Sequence, residues 1–453
     1  MKNTKRRYDV YSFFDHTGIA VHLTKMAEKG WLIEKLSNFG WTYRRIEPKK
    51  ITFFISYFPK ASDFDPEPTE EQKIFHDFCQ HTGWELAASS AQMQIFYNEQ
   101  ENPVPIETDP AIEVGTIHRT AKRNFLPTYF LLLLLSVWNS GMFVSRLLKD
   151  PIGLLSNASS LFAQFAFTMV FLLCIVEVSG YFIWHAKAKK AAEHGEFIKS
   201  FGYSRLQRII AAVVLVGFAY YIITLIMYGP ALQRTVGVVM IFYTIVLIIL
   251  VNGVKQFLKH MQAPRGFNRV ITLSASVLLS FAMMGGITFG ILRVSQNGLF
   301  EDSPPAPLAI EDLLGTEYGG YTSRRSSSES LLLGSFVMQQ HPEFDTEYTA
   351  EKQDMYYALT EVKLPPLYEF CKKSLLNSRK DEVVDGQIEF YEHFEPVDPT
   401  PWQAEEAYRL YWSYGHFIDQ YLLCYEKRII VVTFSWEPTA EQMAIVGDKL
   451  SGE

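Results

Sequence analysis

Apolar residues along this chain occur in three patterns: short alternating runs over residues 7–97, long uninterrupted stretches in the middle, and short runs again after residue 331. The middle stretches reach about 20 residues, the length that a helix needs to cross a hydrocarbon layer about 30 Å thick. Only one stretch contains a charged residue, Glu177, whereas the outer face of a soluble helix has to meet water. The sequence therefore predicts five membrane-spanning helices. They are expected over residues 125–144, 161–184, 209–228, 236–254 and 270–292.

The alternating runs near the amino terminus predict the order strand, helix, strand, strand, helix, strand. The first strand is expected over residues 8–14, and Asp15 after it is a suitable N-cap for the first helix. In the second helix, Ile74 and Phe78 are expected to face inward, because residues four apart share a helix face. The βαββαβ order is typical of a ferredoxin-like sandwich. We therefore predict a ferredoxin-like module over residues 1–118.

Both helices predicted in this module run into a Gly-Trp pair. The pairs are Gly30-Trp31 and Gly83-Trp84, and they lie 53 residues apart. A recurrence of this kind indicates an internal duplication. The two tryptophans could form a binding platform, or they could cover the same edge of the core in each half, since large aromatic side chains dominate core burial.

The segment after the apolar stretches predicts a separate α+β domain over residues 331–453. Residues 301–330 are rich in Pro, Gly and Ser, which is typical of a flexible linker. The aromatic residues between 408 and 421 could line a ligand cleft or fill the core of this domain. Its strands are expected at 331–338, 355–364, 417–425 and 429–436, and its helices at 366–376, 401–412 and 440–450.

Charge divides the chain at the same boundaries. Residues 1–118 hold 13 Lys and Arg against 17 Asp and Glu, residues 119–300 hold 17 against 4, and residues 301–453 hold 12 against 28. The net charge of −7 for the whole chain is therefore an average over an acidic module, a basic transmembrane domain over residues 119–300 and a strongly acidic outer domain.

The basic residues also predict the orientation in the membrane. The segment before the first span, the loop between the second and third spans and the loop between the fourth and fifth spans hold three, six and four Lys and Arg. The two loops on the opposite side hold two and one. Lys and Arg accumulate on the cytoplasmic side, so the chain is expected to be a multi-pass cell-membrane protein with a cytoplasmic amino terminus and an extracytoplasmic carboxy-terminal domain. The basic start has no apolar h-region, which predicts no cleavable signal peptide.

Three segments carry a resemblance to a known family: RYDVYSFFD, MAEKGWLIEKLSNFGWTYRRIEP and FHDFCQHTGWEL. Over about residues 7–100 the chain resembles a bacterial family of membrane proteins of unknown function that have a duplicated amino-terminal Gly-Trp module. The resemblance implies several spans after the module and a gene that is often encoded beside a PadR-type transcriptional regulator. The family has no established activity, so the resemblance does not imply a reaction.

Signatures of catalysis and of metal binding are absent from the sequence. The chain contains no CxxC, HExxH, GxxxxGK[ST], GxSxG or GxGxxG, so we predict no catalytic residues, no metal site, no cofactor and no enzyme activity. Two of the four cysteines, Cys371 and Cys424, fall in the predicted outer domain and could form a disulfide there. Nucleic acid is not expected as a partner, because the acidic module offers no basic stripe for phosphates.

Glu177 is the most distinctive single residue. Intramembrane acids are expensive to insert, at about 2.5–3.5 kcal/mol at a helix centre, and are functional candidates by default. Glu177 could bind a proton, a cation or a substrate amine, or it could be hydrogen-bonded to a neighbouring span as a packing contact.

The architecture leads to two functional hypotheses. The first is a non-enzymatic sensor or signalling protein, whose outer domain binds a ligand, an envelope component or a partner and whose inner module binds a cytoplasmic protein. This hypothesis rests on domain arrangement. The alternative is a transporter or transport accessory that uses Glu177 as its coupling residue.

Overall fold

The computed structural model describes residues 3–37, 40–66, 68–228, 231–296, 305–315, 321–342, 353–377, 382–384, 387–390, 392–412 and 416–452. It is a mixed α+β structure with β-sheets near both ends of the chain and long apolar helices between them. Two compact units can be distinguished. The first comprises Met1–Ser140, Ala166–Gly217 and Val239–Gly290, and the second comprises Gly141–Phe165, Phe218–Val238 and Ile291–Glu453.

The amino-terminal module consists of two similar halves. Its elements are β1 (Thr4–Arg7), α1 (His16–Ala27), β2 (Trp31–Lys35), β3 (Trp41–Arg45), β4 (Thr52–Tyr57), α2 (Glu70–His81), β5 (Glu85–Ser90) and β6 (Met93–Asn98). Each half is a βαββ unit whose three strands form an antiparallel sheet, in the order β1-β3-β2 in the first half and β4-β6-β5 in the second. The duplication inferred from the Gly-Trp pairs is therefore visible in the topology.

The predicted ferredoxin-like order is wrong. A βαββαβ module has one four-stranded sheet, whereas this module has two three-stranded sheets built from a βαβββαββ chain. The strand expected over residues 8–14 is an irregular segment, and β1 precedes it. The predicted order also lacks β2 and β5, which begin one and two residues after the Gly that follows each helix.

The second helix also faces differently from the prediction. Thr69 and Gln72 form a reciprocal capping box that starts α2, and Cys79 is fully buried. Ile74 and Phe78 were expected to face inward, but they are 72% and 55% exposed. The buried face of α2 is therefore narrower than its apolar residues suggest.

The five predicted apolar helices are confirmed, and each is longer than the predicted span. Before them, α3 (Pro110–Thr120) continues through a π-helical turn (Ala121–Phe125) into the first long helix. No residue is buried in the most apolar window of the fourth long helix, as expected for a helix that faces lipid. The helices, with one short helix after the first, are α4 (Leu126–Lys149), α5 (Pro151–Leu155), α6 (Ala158–Ala192), α7 (Ser204–Tyr228), α8 (Ala231–His260) and α9 (Arg265–Gln296).

The carboxy-terminal domain is built on a seven-stranded antiparallel sheet. Its elements are α10 (Ile310–Leu314), β7 (Tyr321–Glu329), β8 (Leu333–Pro342), β9 (Met355–Val362), α11 (Tyr368–Leu376), β10 (Glu382–Val384), β11 (Gln387–Phe390), β12 (Glu392–Val397), β13 (Glu406–Trp412), β14 (His416–Cys424), β15 (Arg428–Phe434) and α12 (Ala440–Leu450). The strand order across the sheet is β12-β13-β14-β15-β9-β8-β7, and β10 and β11 form a separate hairpin. Helices α10 and α12 pack on one face of the sheet, and α11 with α5 on the other.

Two predictions for this domain are wrong. The described parts of the expected linker 301–330 contain α10 and β7, and Leu308 is fully buried. Residues 301–304 and 316–320 lie outside the described residues. The polar sequence of β7 is compatible with a strand because β7 is at the sheet edge, where polar side chains meet water. The helix expected over 401–412 is a 3₁₀ turn followed by β13, since pairing on both sides outweighs the local helix-start signal.

Candidate functional site at the junction of module and helices

The irregular segment between β1 and α1 joins the module to the membrane helices. It ends at Asp15, whose carboxylate accepts a hydrogen bond from the Gly18 N–H and caps α1 as predicted. Ser12 and Phe14 in this segment are almost fully buried. All the residues that they contact belong to the first compact unit, so the junction is an internal feature of that unit.

Glu177 of α6 is the centre of the buried polar contacts in this junction. The Ser12 hydroxyl donates a hydrogen bond of 2.9 Å to Oε1 of Glu177, and Nε2 of Gln207 on α7 donates to the same oxygen. Ser12 also accepts a hydrogen bond of 3.2 Å from the Tyr203 N–H. Ser12 and Glu177 are each 1% exposed. Glu177 thus joins the amino-terminal segment to two long helices.

Two buried acceptors at this centre have no hydrogen-bond partner among the described residues: Oε2 of Glu177 and Oε1 of Gln207. A buried polar atom without a partner costs about 1–3 kcal/mol. A protonated Glu177 would supply a hydrogen-bond donor at this site. A bound cation would instead be coordinated by the two oxygens. Either chemistry is consistent with the predicted role of Glu177 as a proton or cation site.

A second polar contact ties the start of α1 to the α6–α7 loop. The Thr17 and Ser200 hydroxyls are 2.6 Å apart, the Thr17 N–H donates to the Ser200 hydroxyl, and the Ser200 N–H donates to the Thr17 hydroxyl at 2.8 Å. The Ser200 hydroxyl also donates to Asp15 at 3.0 Å. We call Ser12, Asp15, Thr17, Glu177, Ser200 and Gln207 the junction cluster.

Two glycines allow the close approach at this junction. A Cβ on Gly180 would overlap the Tyr203 ring, and a Cβ on Gly202 would overlap the Asp15 carboxylate. At both positions the absence of a side chain leaves room for the neighbouring group.

Aromatic side chains fill the remaining space around the segment. Phe13 stacks on Phe125 at the start of the first long helix, with ring centroids 4.6 Å apart. Phe14 lies against Tyr181 and Trp184 of α6 at 5.9 and 5.7 Å. These contacts bury large apolar area and give the junction its stability.

A buried ionic group lies at the other end of the segment, inside the module. Asp9 accepts a hydrogen bond of 2.8 Å from the Tyr43 hydroxyl, lies 3.3 Å from Nε2 of His22 and forms an ion pair with Arg7 at 3.4 Å. Burial tends to raise the pKa of Asp9, but the hydrogen bonds from His22 and Tyr43 and the charges of His22 and Arg7 outweigh it and hold the pKa below its usual value. Burial together with Asp9 raises the pKa of Tyr43.

The Gly-Trp residues lie within the module and are not part of the junction cluster. Gly30 and Gly83 have φ of +78° and +85°, the left-handed conformation that ends both helices. Trp84 is buried and its ring N–H donates to the Val104 carbonyl at 2.9 Å. Trp31 is half-buried, beneath the cationic groups of Lys5 and Arg45.

The two outer cysteines belong to one apolar cluster on the α11 face of the sheet. Cys371 and Cys424 are both buried free thiols. Burial raises the pKa of each to about 11. In the described part of the chain no group of three His, Cys, Asp or Glu could hold a metal ion.

The same sheet face carries a groove that the sequence did not indicate. Its volume is about 590 Å³. Tyr421, by contrast, one of the aromatic residues that could have lined a cleft, is buried in the core against Trp402. The groove is formed by residues spread over four strands and α11, so no single stretch of sequence marks it. Its lining residues are Tyr356, Ala358, Leu375, Phe394, Gln420, Val431 and Thr433.

Part of the chain is similar to a known protein family. No curated protein and no solved structure matches the chain. Residues 17–131, from α1 into α4, match the family model described as "Protein of unknown function (DUF2812)". The amino-terminal module and the start of the first long helix are therefore similar to a domain of unknown function.

Proposed function

We propose that this protein is a non-enzymatic membrane sensor or signalling protein, with its amino-terminal module in the cytoplasm and its carboxy-terminal domain outside. The distribution of Lys and Arg supports this orientation, because the basic loops all fall on the side of the module. The five apolar helices support a lipid bilayer as its environment.

The observation that carries the proposal is the junction cluster. A module connected to the helices only through the chain that leads into the first span would need no buried contacts to α6 and α7. Here Ser12 is hydrogen-bonded to Glu177, and Thr17 exchanges hydrogen bonds with Ser200. A displacement of α6 or α7 would therefore be transmitted to the start of α1 through short, directional contacts.

Hydrogen bonds also hold the segment before the amino-terminal end of α6, within the second compact unit. Ser156, two residues before α6, accepts a hydrogen bond of 2.8 Å from Ser328 on β7, and the Leu155 carbonyl accepts one from Ser330. α6 is continuous from Ala158 to Ala192. In our proposal this helix carries the signal between the outer sheet and the junction cluster.

The groove on the outer sheet is the proposed ligand site. It combines apolar walls with the Tyr356 hydroxyl and the Thr433 hydroxyl, the mixture that small-molecule sites use. Burial raises the pKa of Tyr356, so its hydroxyl stays protonated and can donate a hydrogen bond. The ligand or envelope component would bind in this groove.

The proposed cytoplasmic partner would be bound by the module. The exposed Ile74 and Phe78 on α2 support this part of the proposal, because apolar residues on one helix face are a usual partner-binding element. The resemblance of the module also implies a gene beside a PadR-type regulator, and the partner would then act in the control of transcription.

The test of the sensor uses the full-length chain in lipid nanodiscs. Ala358→Trp fills the outer groove in place of a ligand, and Lys427→Trp at the exposed β14–β15 turn is the matched control. Amide hydrogen exchange is measured in residues 11–20 and 196–208. Coupling predicts that Ala358→Trp changes exchange in both segments and Lys427→Trp does not. Unchanged exchange in the folded Ala358→Trp variant would contradict the proposal.

The alternative is a transporter or transport accessory, and the unpartnered Oε2 of Glu177 favours it. Glu177→Gln separates the two functions. Gln keeps an acceptor oxygen for Ser12 and Gln207, so junction coupling should persist, whereas a proton or cation site would be lost with the charge. In proteoliposomes containing a pH-sensitive dye, a proton flux that disappears in Glu177→Gln would support transport and count against the sensor.

A further inference from the structure

A basic cavity of about 530 Å³ lies beside the π-helical turn Ala121–Phe125. Four of its seven lining residues are Lys or Arg and one is Glu, which gives it a net charge of +3. Glu71 forms an ion pair with Lys60 at 3.1 Å. The lining residues, all in the first compact unit, are Phe58, Pro59, Lys60, Glu71, Arg119, Lys122 and Arg123.

The helix supplies three of the basic side chains. Arg119, Lys122 and Arg123 lie within about one turn of the helix, and all three line the cavity. Within this stretch the Leu126 N–H bonds to the Ala121 carbonyl, five residues back, which makes the turn wider than an α-helical one. Single π turns of this kind are rare and are frequent at functional sites.

The opposite wall is held in place by hydrogen bonds to two helices. Asn124 donates to the Pro59 carbonyl at 3.3 Å. At the start of α9, Arg265 donates to the Lys60 carbonyl at 3.1 Å, and the fully buried Asn268 donates to the Phe64 carbonyl at 3.0 Å. The loop after β4 is thereby fixed at three points, and the cavity is formed before any ligand arrives.

The position of the cavity in the sequence defines the kind of ligand. Its basic residues stop at Arg123, and the apolar stretch of the first span begins two residues later. Such side chains lie at the depth of lipid headgroups, where Lys and Arg attract anionic lipids. Phe58 and Pro59 form an apolar wall beside the charges.

We propose that this cavity binds the phosphate headgroup of an anionic phospholipid. Arg119, Lys122 and Arg123 surround the phosphate, and Phe58 with Pro59 lies along the glycerol region. A soluble phosphate carries the same negative charge but has no apolar part that could contact the apolar wall. The proposal is independent of the sensor function, since it needs neither the outer groove nor the junction cluster.

The test measures lipid binding to the full-length chain in detergent by native mass spectrometry. Wild type should bind phosphatidylglycerol more tightly than phosphatidylcholine. The triple variant Arg119→Ala, Lys122→Ala, Arg123→Ala should bind phosphatidylglycerol on the order of a hundredfold more weakly, at about fivefold for each basic side chain. The control Lys187→Ala, Lys190→Ala, Lys199→Ala removes the same charge from exposed positions elsewhere and should keep the preference.

A second variant distinguishes loss of lipid binding from loss of folding. Glu71→Gln frees Lys60 and should tighten phosphatidylglycerol binding several-fold, opposite in sign to the triple variant. Equal losses in the two triple variants, or no effect of Glu71→Gln in a protein that keeps its fold, would overturn the proposal. Saturation by millimolar inorganic phosphate with no preference for phosphatidylglycerol would also overturn it, because the site would then be one for a soluble anion.

Discussion

The Ser12 hydroxyl donates a 2.9 Å hydrogen bond to Oε1 of Glu177, although 165 positions separate the two residues in the sequence. Ser12 precedes the first helix of the module, and Glu177 lies on a helix long and apolar enough to cross the membrane. Glu177 therefore belongs to the contact between the module and the long helices. Glu177 has features of both alternatives. Its Oε1 makes packing hydrogen bonds, and its buried Oε2 has no hydrogen-bond partner among the described residues.

Ser12→Ala should destabilise the junction by about 1–3 kcal/mol, because Glu177 loses a donor and the Tyr203 N–H loses its acceptor in a buried site. The measurement is thermal unfolding of the full-length protein in nanodiscs, with amide exchange of residues 11–20. Ser179→Ala is the control, since Ser179 is exposed on the same helix and donates only to a backbone carbonyl within it. Equal effects of the two substitutions would contradict the role of Ser12.

Gly180→Ala should destabilise the protein although alanine favours helix formation. Its Cβ would overlap the Tyr203 ring, and overpacking of this kind costs about 1–3 kcal/mol. Gly286→Ala in α9 is the matched control, because no atom lies within 4 Å of its added Cβ. The control should be neutral or stabilising by up to about 1 kcal/mol. If both substitutions shifted the unfolding temperature in the same direction relative to wild type, the result would argue against close packing at Gly180.

The helices and the candidate acid could be predicted from the sequence, but the junction cluster could not. Span length and the absence of charge are properties of one contiguous stretch, so five helices follow directly, and a lone acid within one of them is conspicuous. The contact between Thr17 and Ser200 joins residues 183 positions apart and leaves no periodic signal. The apolar residues before α1 alternate as in a strand, but they pack against helices, so the strand prediction for this segment is wrong.

The errors in the outer domain have a related cause. Thr400 and Gln403 have the residue types of a capping box, but the chain instead makes a 3₁₀ turn that ends at Gln403 with φ of +52°. β13 then pairs with strands on both sides, a tertiary effect that local sequence does not report. The true capping box at Thr439 and Gln442 has the same local signature and does start a helix. Only the long-range pairing distinguishes the two.

The stability of the module should fall at acid pH through Asp9. The pKa of Asp9 is lower in the folded protein than its usual value, so the folded state binds fewer protons in that range. Its contribution is fully present above the unfolded-state pKa of about 4 and is lost as the pH falls through the folded-state value. Asp9→Asn should flatten this dependence when unfolding is followed between about pH 3 and 6. Asp63→Asn, at an exposed carboxylate, should leave the slope unchanged, and a wild-type slope in Asp9→Asn would contradict the assignment.

Cys371 and Cys424 should be unreactive in the folded protein and free in the unfolded one. Burial raises the pKa of both thiols to about 11, so near pH 7.5 on the order of one in a thousand is a thiolate, and neither is accessible to reagent. Iodoacetamide should leave both unlabelled in the native protein, whereas a cysteine introduced by Lys427→Cys at an exposed turn should react rapidly. After denaturation without reductant, intact-mass measurement should show both residues alkylated. Labelling that requires a reductant would instead establish that the two residues form a disulfide.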